Sequence, residues 1–149
     1  MVSQHPATHI DPYLIIVEDD LDDQELIMDV CKRAAFNGRV KMLGDGDQLF
    51  ELLDGITEIN RLPTLIVLDY NLPRLGGEAT LVLLKKDARF KNIPVVIYST
   101  TMTQEKEHQL LSLGANFCRR KPLTINGVSL MIGEFIGFAT LVSRKRVLK

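Results

Sequence analysis

A short apolar run that ends in a carboxylate constrains the fold more strongly than any other stretch. Residues 65–68 read Leu-Ile-Val-Leu, and Asp69 follows them directly. Such a run predicts a strand buried on both faces, as in a parallel sheet. Pro73 prevents a regular continuation because proline has no N–H to donate to a neighbouring strand. Asp69 therefore lies where a buried strand opens into a loop, either as a cap for the next turn or as part of a ligand site.

Apolar runs alternate with helical patterns along the rest of the chain. The patterns predict strands at 13–17, 39–43, 65–69, 94–98 and 116–120, and helices at 20–36, 45–58, 76–90, 103–113 and 124–142. Five β–α pairs in succession predict an α/β fold: a doubly wound, five-stranded parallel sheet with five helices on its two faces.

Length and composition indicate one soluble domain. The chain has 149 residues, 46% of them hydrophobic, and a net charge of −1, which gives no general attraction to nucleic acid or membrane. We expect a flexible tail at 1–12 without the features of a signal peptide, a domain at 13–142 and a basic tail at 143–149. Cys31 and Cys118 have no metal-binding spacing and are typical of reduced thiols in a cytoplasmic protein.

Polar residues follow four of the predicted strands. Glu18 and Asp19 follow the first strand, Asp69 the third, Ser99 the fourth and Lys121 the fifth. Each alone is an ordinary helix cap or turn residue, but the carboxyl ends of parallel strands share one edge of the sheet. Crowded carboxylates there would favour a hard divalent cation such as Mg²⁺.

The hydroxyl and the ammonium complete a set suited to phosphoryl transfer. Ser99 and Lys121 offer a hydrogen-bond donor and a positive charge, which match phosphoryl oxygens. Positioning and charge neutralisation provide most of the catalysis in such reactions. The nucleophile would then be a carboxylate that forms an acyl phosphate.

With these residues at successive strand ends, the chain resembles a response regulator receiver domain of two-component signalling over residues 13–142. The resemblance implies a flavodoxin-like sheet of strand order 2-1-3-4-5. It also implies that the protein is not an enzyme beyond its own phosphorylation and dephosphorylation. Because no output domain follows in the sequence, we expect a single-domain regulator similar to those that partner bacterial phytochromes.

The resemblance assigns metal-binding roles to four residues. Asp69 matches the phosphoacceptor of the family and also a ligand of Mg²⁺. Asp19 matches the direct metal ligand, and Glu18 the acid that acts through water. Asn71 matches the residue whose backbone carbonyl binds the metal.

Two further residues match the groups that contact the phosphoryl group. Ser99 is similar to the family's Ser/Thr hydroxyl, and Lys121 to the lysine that pairs with the phosphoryl group. The pair Lys121-Pro122 is similar to a pair joined by a cis peptide in the family. Residues 72–77, Leu-Pro-Arg-Leu-Gly-Gly, resemble the loop after the phosphoacceptor.

One position departs from the family's pattern. Cys118 occupies the place, three residues before the lysine, where the family usually has an aromatic residue that swings inward on activation. We therefore expect segment 100–113 to carry the signal instead. Arg119 and Arg120 are unusual for a strand and predict an edge strand that faces water or an acidic partner.

Other functions remain as alternatives at this stage. A phosphatase of the haloacid-dehalogenase type would need an Asp at the position of Asn71, and a flavin carrier would not have Glu18-Asp19-Asp20 in its phosphate loop. A pseudo-receiver that acts only as a binding or dimerisation module is the remaining alternative. For the receiver, the expected phosphoryl donor is a sensor histidine kinase or a histidine phosphotransfer protein.

The last helix predicts a homodimer. Between 124 and 142 the only charged residue is Glu134, so the helix lacks the polar face of a monomer's surface helix. A membrane span is the competing interpretation of such a segment, but the sheet needs this helix to cover it. An exposed apolar face of this size favours an interface between two copies.

Overall fold

A computed structural model describes residues 10–147, which form a five-stranded parallel sheet with helices on both faces. The strands are β1 (Tyr13–Val17), β2 (Arg39–Leu43), β3 (Leu65–Asp69), β4 (Val95–Ser99) and β5 (Phe117–Arg120). The helices are α1 (Leu21–Arg33), α2 (Gly46–Asp54), α3 (Gly76–Lys86), α4 (Gln104–Ser112) and α5 (Ile125–Val147), with a 3₁₀ turn at Ile59–Arg61. The strand order β2-β1-β3-β4-β5 confirms the predicted topology.

The two faces of the sheet form separate halves of the core. Strands β1, β3 and β4 are buried along their whole length, as expected for central strands of a parallel sheet. Alternate residues of these strands pack with Leu49 of α2, Leu81 of α3 and Leu110 of α4 on one face. The other residues pack with Ile27 of α1 and Phe135 of α5 on the opposite face. Each fully buried side chain of this size contributes roughly 1.5–3 kcal/mol.

Side-chain caps begin four of the helices soon after a strand ends, and at the start of α5 the Thr124 hydroxyl accepts a hydrogen bond from the Gly127 N–H at 3.0 Å. Asp20 accepts a hydrogen bond from the Asp23 N–H at 2.9 Å, and Asp45 accepts one from the Gln48 N–H at 2.8 Å. Thr103 caps α4 in the same way. A cap of this kind stabilises a helix by about 1 kcal/mol. Early helix starts keep the β–α loops short, so the residues after the strands stay at the sheet edge.

Three helices end at least three residues earlier than the sequence predicts. Helix α1 ends at Arg33 rather than at residue 36, since Ala34 takes the C-cap position and Ala35 has a positive φ of 51°. Helix α2 ends at Asp54 rather than Glu58, because Gly55 takes the C-cap position and a separate 3₁₀ turn follows. Helix α3 ends at Lys86, and Phe90 lies buried in the turn that comes after it. Beyond the observed ends of α2 and α3, the apolar residues pack against the core from the turns that follow. Their spacing therefore does not require further helix.

Helix α5 is longer than predicted. It continues through Val147, so residues 143–147 form helix and not the basic tail expected there. The Arg146 guanidinium donates to the backbone carbonyls of Leu62 and Pro63 at 2.8 and 2.7 Å, which fixes this end on the loop before β3. Residues 1–9 of the predicted N-terminal tail, and residues 148–149, lie outside the described residues.

Helix α5 also meets the length and composition required of a membrane span. It is the one helix among residues 10–147 that does so, and a core helix of a soluble protein can pass the same test. Its buried side chains, from Val128 to Ala139, pack against the central strands. The sheet face that they cover would otherwise be exposed to water.

The start of α3 lies against the end of β3. The Gly77 N–H donates to the carbonyl of Tyr70 at 2.9 Å. A Cβ atom at Gly77 would lie only 2.3 Å from the backbone oxygen of Asp69, so a side chain cannot fit without moving the backbone. The loop after Asp69 thus depends on glycine at this position.

We predict that Gly77→Ala lowers the free energy of unfolding by about 1–3 kcal/mol, because the added methyl group forces the backbone apart. Gly55→Ala is the matched control, since its Cβ would meet no atom nearer than 3.5 Å and Gly55 has an ordinary φ of −81°. The control should be neutral or more stable by about 0.4–1 kcal/mol. Urea unfolding monitored by circular dichroism measures both, and equal stabilities for the two variants would contradict the prediction.

Candidate functional site

Three charged residues from three strand ends meet at the carboxyl edge of the sheet. The Lys121 ammonium group lies 2.7 Å from Glu18 Oε1 and 2.9 Å from Asp69 Oδ2. Asp23, in the first turn of α1, is 3.5 Å from the same nitrogen. The structure therefore brings together three residues that are far apart in the sequence, as the strand-end pattern predicts.

Sheet pairing places Ser99 at the same edge. Ser99 lies opposite Arg120 in the β4–β5 register, and its carbonyl accepts a hydrogen bond from the Lys121 N–H at 2.9 Å. The Ser99 hydroxyl is buried and accepts from the Thr101 N–H at 3.2 Å. Lys106 of α4 donates to the Thr101 carbonyl at 3.3 Å, which links this loop to the helix that follows.

Burial and pairing shift the pKa values of the two buried carboxyl groups, Glu18 and Asp69, in opposite directions. Burial disfavours the ionised form of Glu18, but hydrogen bonds from Lys121, Tyr98 and the Asp20 N–H outweigh it and place its pKa below the ordinary value. Asp69 is affected most by burial, which raises its pKa despite hydrogen bonds from the Asn71 N–H and Lys121. Nearby Glu18 raises it further.

The ammonium group responds to both neighbours. Burial by itself would lower the pKa of Lys121, but the hydrogen bonds and charges of Glu18 and Asp69 raise it above the ordinary value. Lys121 is therefore a fixed positive charge at neutral pH.

The carboxylates form a cluster that fits a hard divalent cation. One oxygen each of Glu18, Asp19 and Asp69 lies within 4.8 Å of the other two. Asp19 is exposed to solvent, whereas Glu18 and Asp69 are buried. Oxygen ligands of this kind, with one side open to water, suit Mg²⁺ or Mn²⁺. The Asn71 N–H donates to Asp69 Oδ1 at 3.0 Å, which places Asn71 next to the cluster.

Tyr98 is part of the site, although the pattern of polar residues after the strands does not include it. Its hydroxyl donates to Glu18 Oε1 at 2.6 Å, and Lys121 Nζ lies 4.7 Å from the centre of its ring. In the sequence it is one of several large residues in a strand, next to Ser99. The available signal was the polar tip of a tyrosine in an otherwise apolar strand, since a buried tyrosine hydroxyl usually has a partner.

Two expectations about the region of β5 have clear outcomes. The Lys121–Pro122 peptide bond is trans, as is every peptide bond in the part of the chain that the structure describes, so the expected likeness to a cis bond is wrong. The trans form is favoured by about 0.5–1 kcal/mol for a bond to proline. Strand β5 is an edge strand, as predicted, and Arg119 forms an ion pair with Glu134 of α5 at 2.7 Å.

Cys118, at the position where the sequence resemblance leads us to expect an aromatic residue, is buried on β5. Its thiol is free, and burial followed by the charge of Glu107 raises its pKa to about 11. The neighbouring Phe117 ring packs on Phe135 and Phe138 of α5, with centroid distances of 6.3 and 5.4 Å. Phe117 therefore belongs to the α5 face and does not replace the missing aromatic.

Comparisons with known proteins agree with this geometry. Residues 14–132 match the sequence model of the response regulator receiver domain. The probable methanogenesis regulatory protein FilR2 of Methanothrix harundinacea is 31% identical over 126 residues, which are 83% of this chain and 81% of that protein.

Two solved structures have the same fold over most of their length. The Mn²⁺-bound response regulator Rcp1, a protein of Synechocystis, is 26% identical with a TM-score of 0.73, covering 87% of this chain and 94% of Rcp1. The phosphorylated cyanobacterial phytochrome response regulator RcpA is 27% identical with a TM-score of 0.73, covering 86% and 93%.

We predict that Lys121→Met destabilises the protein by about 3–5 kcal/mol at pH 7.5, because it leaves two buried carboxylates without their cation. The loss should shrink towards pH 5. Lys121 lowers the pKa of both Glu18 and Asp69, so its removal raises the folded-state pKa of both carboxyl groups. A carboxyl group with a raised folded-state pKa favours folding at low pH, and this gain is lost as pH rises through the folded pKa.

Urea unfolding at pH 7.5 and pH 5 measures this difference. Lys41→Met, at an exposed position of β2, removes the same charge away from the site and should change stability little at either pH. A destabilisation of Lys121→Met that is independent of pH would contradict the assignment of the loss to unpaired carboxylates.

Proposed function

This chain belongs to the response regulator receiver domain family of two-component signalling, and we propose that it accepts a phosphoryl group on Asp69 in a Mg²⁺-dependent reaction. Receiver domains are in general signalling modules and not enzymes, so the proposed chemistry is limited to phosphorylation and dephosphorylation of the protein itself. The observation that carries the proposal is the Lys121 ammonium group 2.9 Å from Asp69, beside a cluster of carboxylate oxygens.

The proposed reaction is an in-line displacement at phosphorus. A carboxylate oxygen of Asp69 attacks, a new P–O bond forms, and the bond to the donor breaks with its electron pair leaving on the donor. Asp19, Asp69 and the Asn71 carbonyl would hold Mg²⁺ directly, and Glu18 would act through water. When bound, the cation would neutralise charge on the phosphoryl oxygens.

Lys121 and Ser99 would hold the phosphoryl group after transfer. Lys121 already contacts Asp69 Oδ2, so a short shift of the ammonium would bring it to a phosphoryl oxygen. The Ser99 hydroxyl is only 3.4 Å from the hydroxyl of Thr101 and could exchange this weak contact for one to the phosphoryl group. Both movements would change the loops that follow β4 and β5.

A sensor histidine kinase or a histidine phosphotransfer protein is the proposed donor. The phytochrome association in the name of RcpA supports a bacterial phytochrome as one such kinase. Leu21 and Leu123 are exposed beside the site and would contact the docked donor. The free thiols of Cys31 and Cys118 agree with a cytoplasmic location, and we propose neither nucleic acid nor membrane as a partner.

We predict that the protein gains one phosphoryl mass when incubated with acetyl phosphate and Mg²⁺, and that Asp69→Asn abolishes the gain by removing the nucleophile. Asp22→Asn is the matched control, since Asp22 is exposed in α1 and should not alter the reaction. Intact-protein mass spectrometry, repeated with EDTA in place of Mg²⁺, gives the answer. A gain that persists in Asp69→Asn would place the phosphoryl group elsewhere, and no gain in the parent protein would favour the pseudo-receiver alternative.

We also propose that the protein forms a homodimer through α5. Leu130, Gly133, Gly137 and Leu141 are exposed and recur every three or four residues, so they share one face of the helix. Leu130 is 78% exposed, and a Cβ atom at either glycine would meet nothing within 4 Å. An open stripe of large and small apolar residues allows close approach of a second helix.

We predict that Leu130→Lys prevents dimer formation, because a lysine in the middle of this face would be desolvated and face its own copy. Multi-angle light scattering should give twice the 16.8 kDa chain mass for the parent and a single chain mass for the variant. Ile59→Lys, at a residue that is 74% exposed in the 3₁₀ turn, is the control and should remain dimeric. A parent that stays monomeric across micromolar concentrations would refute the dimer.

A further inference from the structure

We propose that Tyr98 is a positioning residue that holds Glu18 in the orientation required for divalent cation binding. This inference rests on the cation site of the proposed function, and extends it to a residue that the strand-end pattern does not contain. Tyr98 would not touch the cation or the phosphoryl group. It would act through the carboxylate of Glu18.

The two oxygens of the Glu18 carboxylate have different hydrogen-bond partners, and these partners fix the orientation of the carboxylate. Oε1 accepts from the Tyr98 hydroxyl at 2.6 Å and from Lys121 at 2.7 Å. Oε2 accepts from the backbone N–H of Asp20 at 3.1 Å, in the turn that also carries Asp19. An oxygen with one such partner still has a lone pair for a water molecule. The carboxylate is therefore fixed with Oε1 inward.

The phenol is a rigid partner for this oxygen. Tyr98 is fully buried in β4, within the core half formed by α1 and α5, so its ring has no room to turn away. Burial and the charge of Glu18 raise its pKa, and the hydroxyl therefore keeps its proton and remains a donor. The Lys121 ammonium can move more easily, because it lies at the end of a flexible stem and can exchange one of its three carboxylate partners for another.

Tyr98 and Lys121, the two donors to Glu18 Oε1, would respond differently to a phosphoryl group on Asp69. Lys121 must then share its charge with the phosphoryl oxygens, which weakens its contact with Glu18. If Lys121 were the only donor to Glu18 Oε1, this buried oxygen would lose its partner, and the carboxylate would follow the ammonium while only Oε2 kept its hydrogen bond to the Asp20 N–H. Because Tyr98 remains in place, Glu18 can keep its position beside Asp19 in both states.

The test compares cation affinity in Tyr98→Phe and the parent by isothermal titration with Mg²⁺, without phosphorylation. Phenylalanine keeps the ring beside Lys121 and removes only the hydroxyl. We expect the Mg²⁺ dissociation constant to rise about tenfold, as is typical when a partner that orients a ligand is removed. Tyr13→Phe is the matched control, because Tyr13 is a buried tyrosine at the other end of β1 from the site. It should bind within about twofold of the parent.

A double-mutant cycle with Glu18→Ala separates positioning from a general effect on structure. Without the carboxylate, Tyr98→Phe should change Mg²⁺ affinity by less than about twofold. Parental affinity in Tyr98→Phe would overturn the proposal, as would an undiminished loss in the Glu18→Ala background or an equal loss in Tyr13→Phe. A parent protein that binds no Mg²⁺ would overturn it too, whereas a parent that binds Mg²⁺ but gains no phosphoryl mass would overturn only the proposed function.

Discussion

The buried ammonium group of Lys121 between Glu18 and Asp69 is the interaction on which the site depends. It joins the ends of β1, β3 and β5, of which β5 is not a neighbour of the other two in the sheet. A buried ion pair adds little net stability compared with apolar packing, but a carboxylate left without its partner is costly. These three charges therefore bring little net benefit to folding, which is consistent with the proposed chemical role.

The position of the site was predictable because parallel strands place all their carboxyl ends at one edge. Residue identity at those ends, together with the alternation of strands and helices, was enough to predict that Asp69, Ser99 and Lys121 lie close together. Helix ends were less predictable. Phe90 continues an apolar spacing beyond Lys86, but a turn buries it as well as a helix would. Likewise, α5 continues to Val147 because Arg146 finds carbonyl partners more than 80 positions away in the chain.

Tyr98 and the Lys121–Pro122 bond show a different limit. A tyrosine in a buried strand has the same pattern as any large apolar residue, and only the fold reveals that its hydroxyl reaches Glu18. The choice between cis and trans at proline involves only about 0.5–1 kcal/mol, which distant packing can reverse. The local sequence determines neither property: it shows a buried tyrosine that needs a partner without identifying Glu18, and a Lys-Pro pair that either isomer can join.

The substitution of the usual aromatic by Cys118 leaves α4 connected to the site through its N-terminal loop. Ser99 contacts Thr101, and Lys106 holds the Thr101 carbonyl while its ammonium lies 4.2 Å from the centre of the Tyr70 ring. Tyr70 directly follows Asp69, so this chain of contacts starts and ends beside the proposed phosphoacceptor. A movement of Ser99 would reach α4 along it without any rearrangement at Cys118, whose thiol is too small to transmit one. The physical connection therefore agrees with a signal carried by residues 100–113.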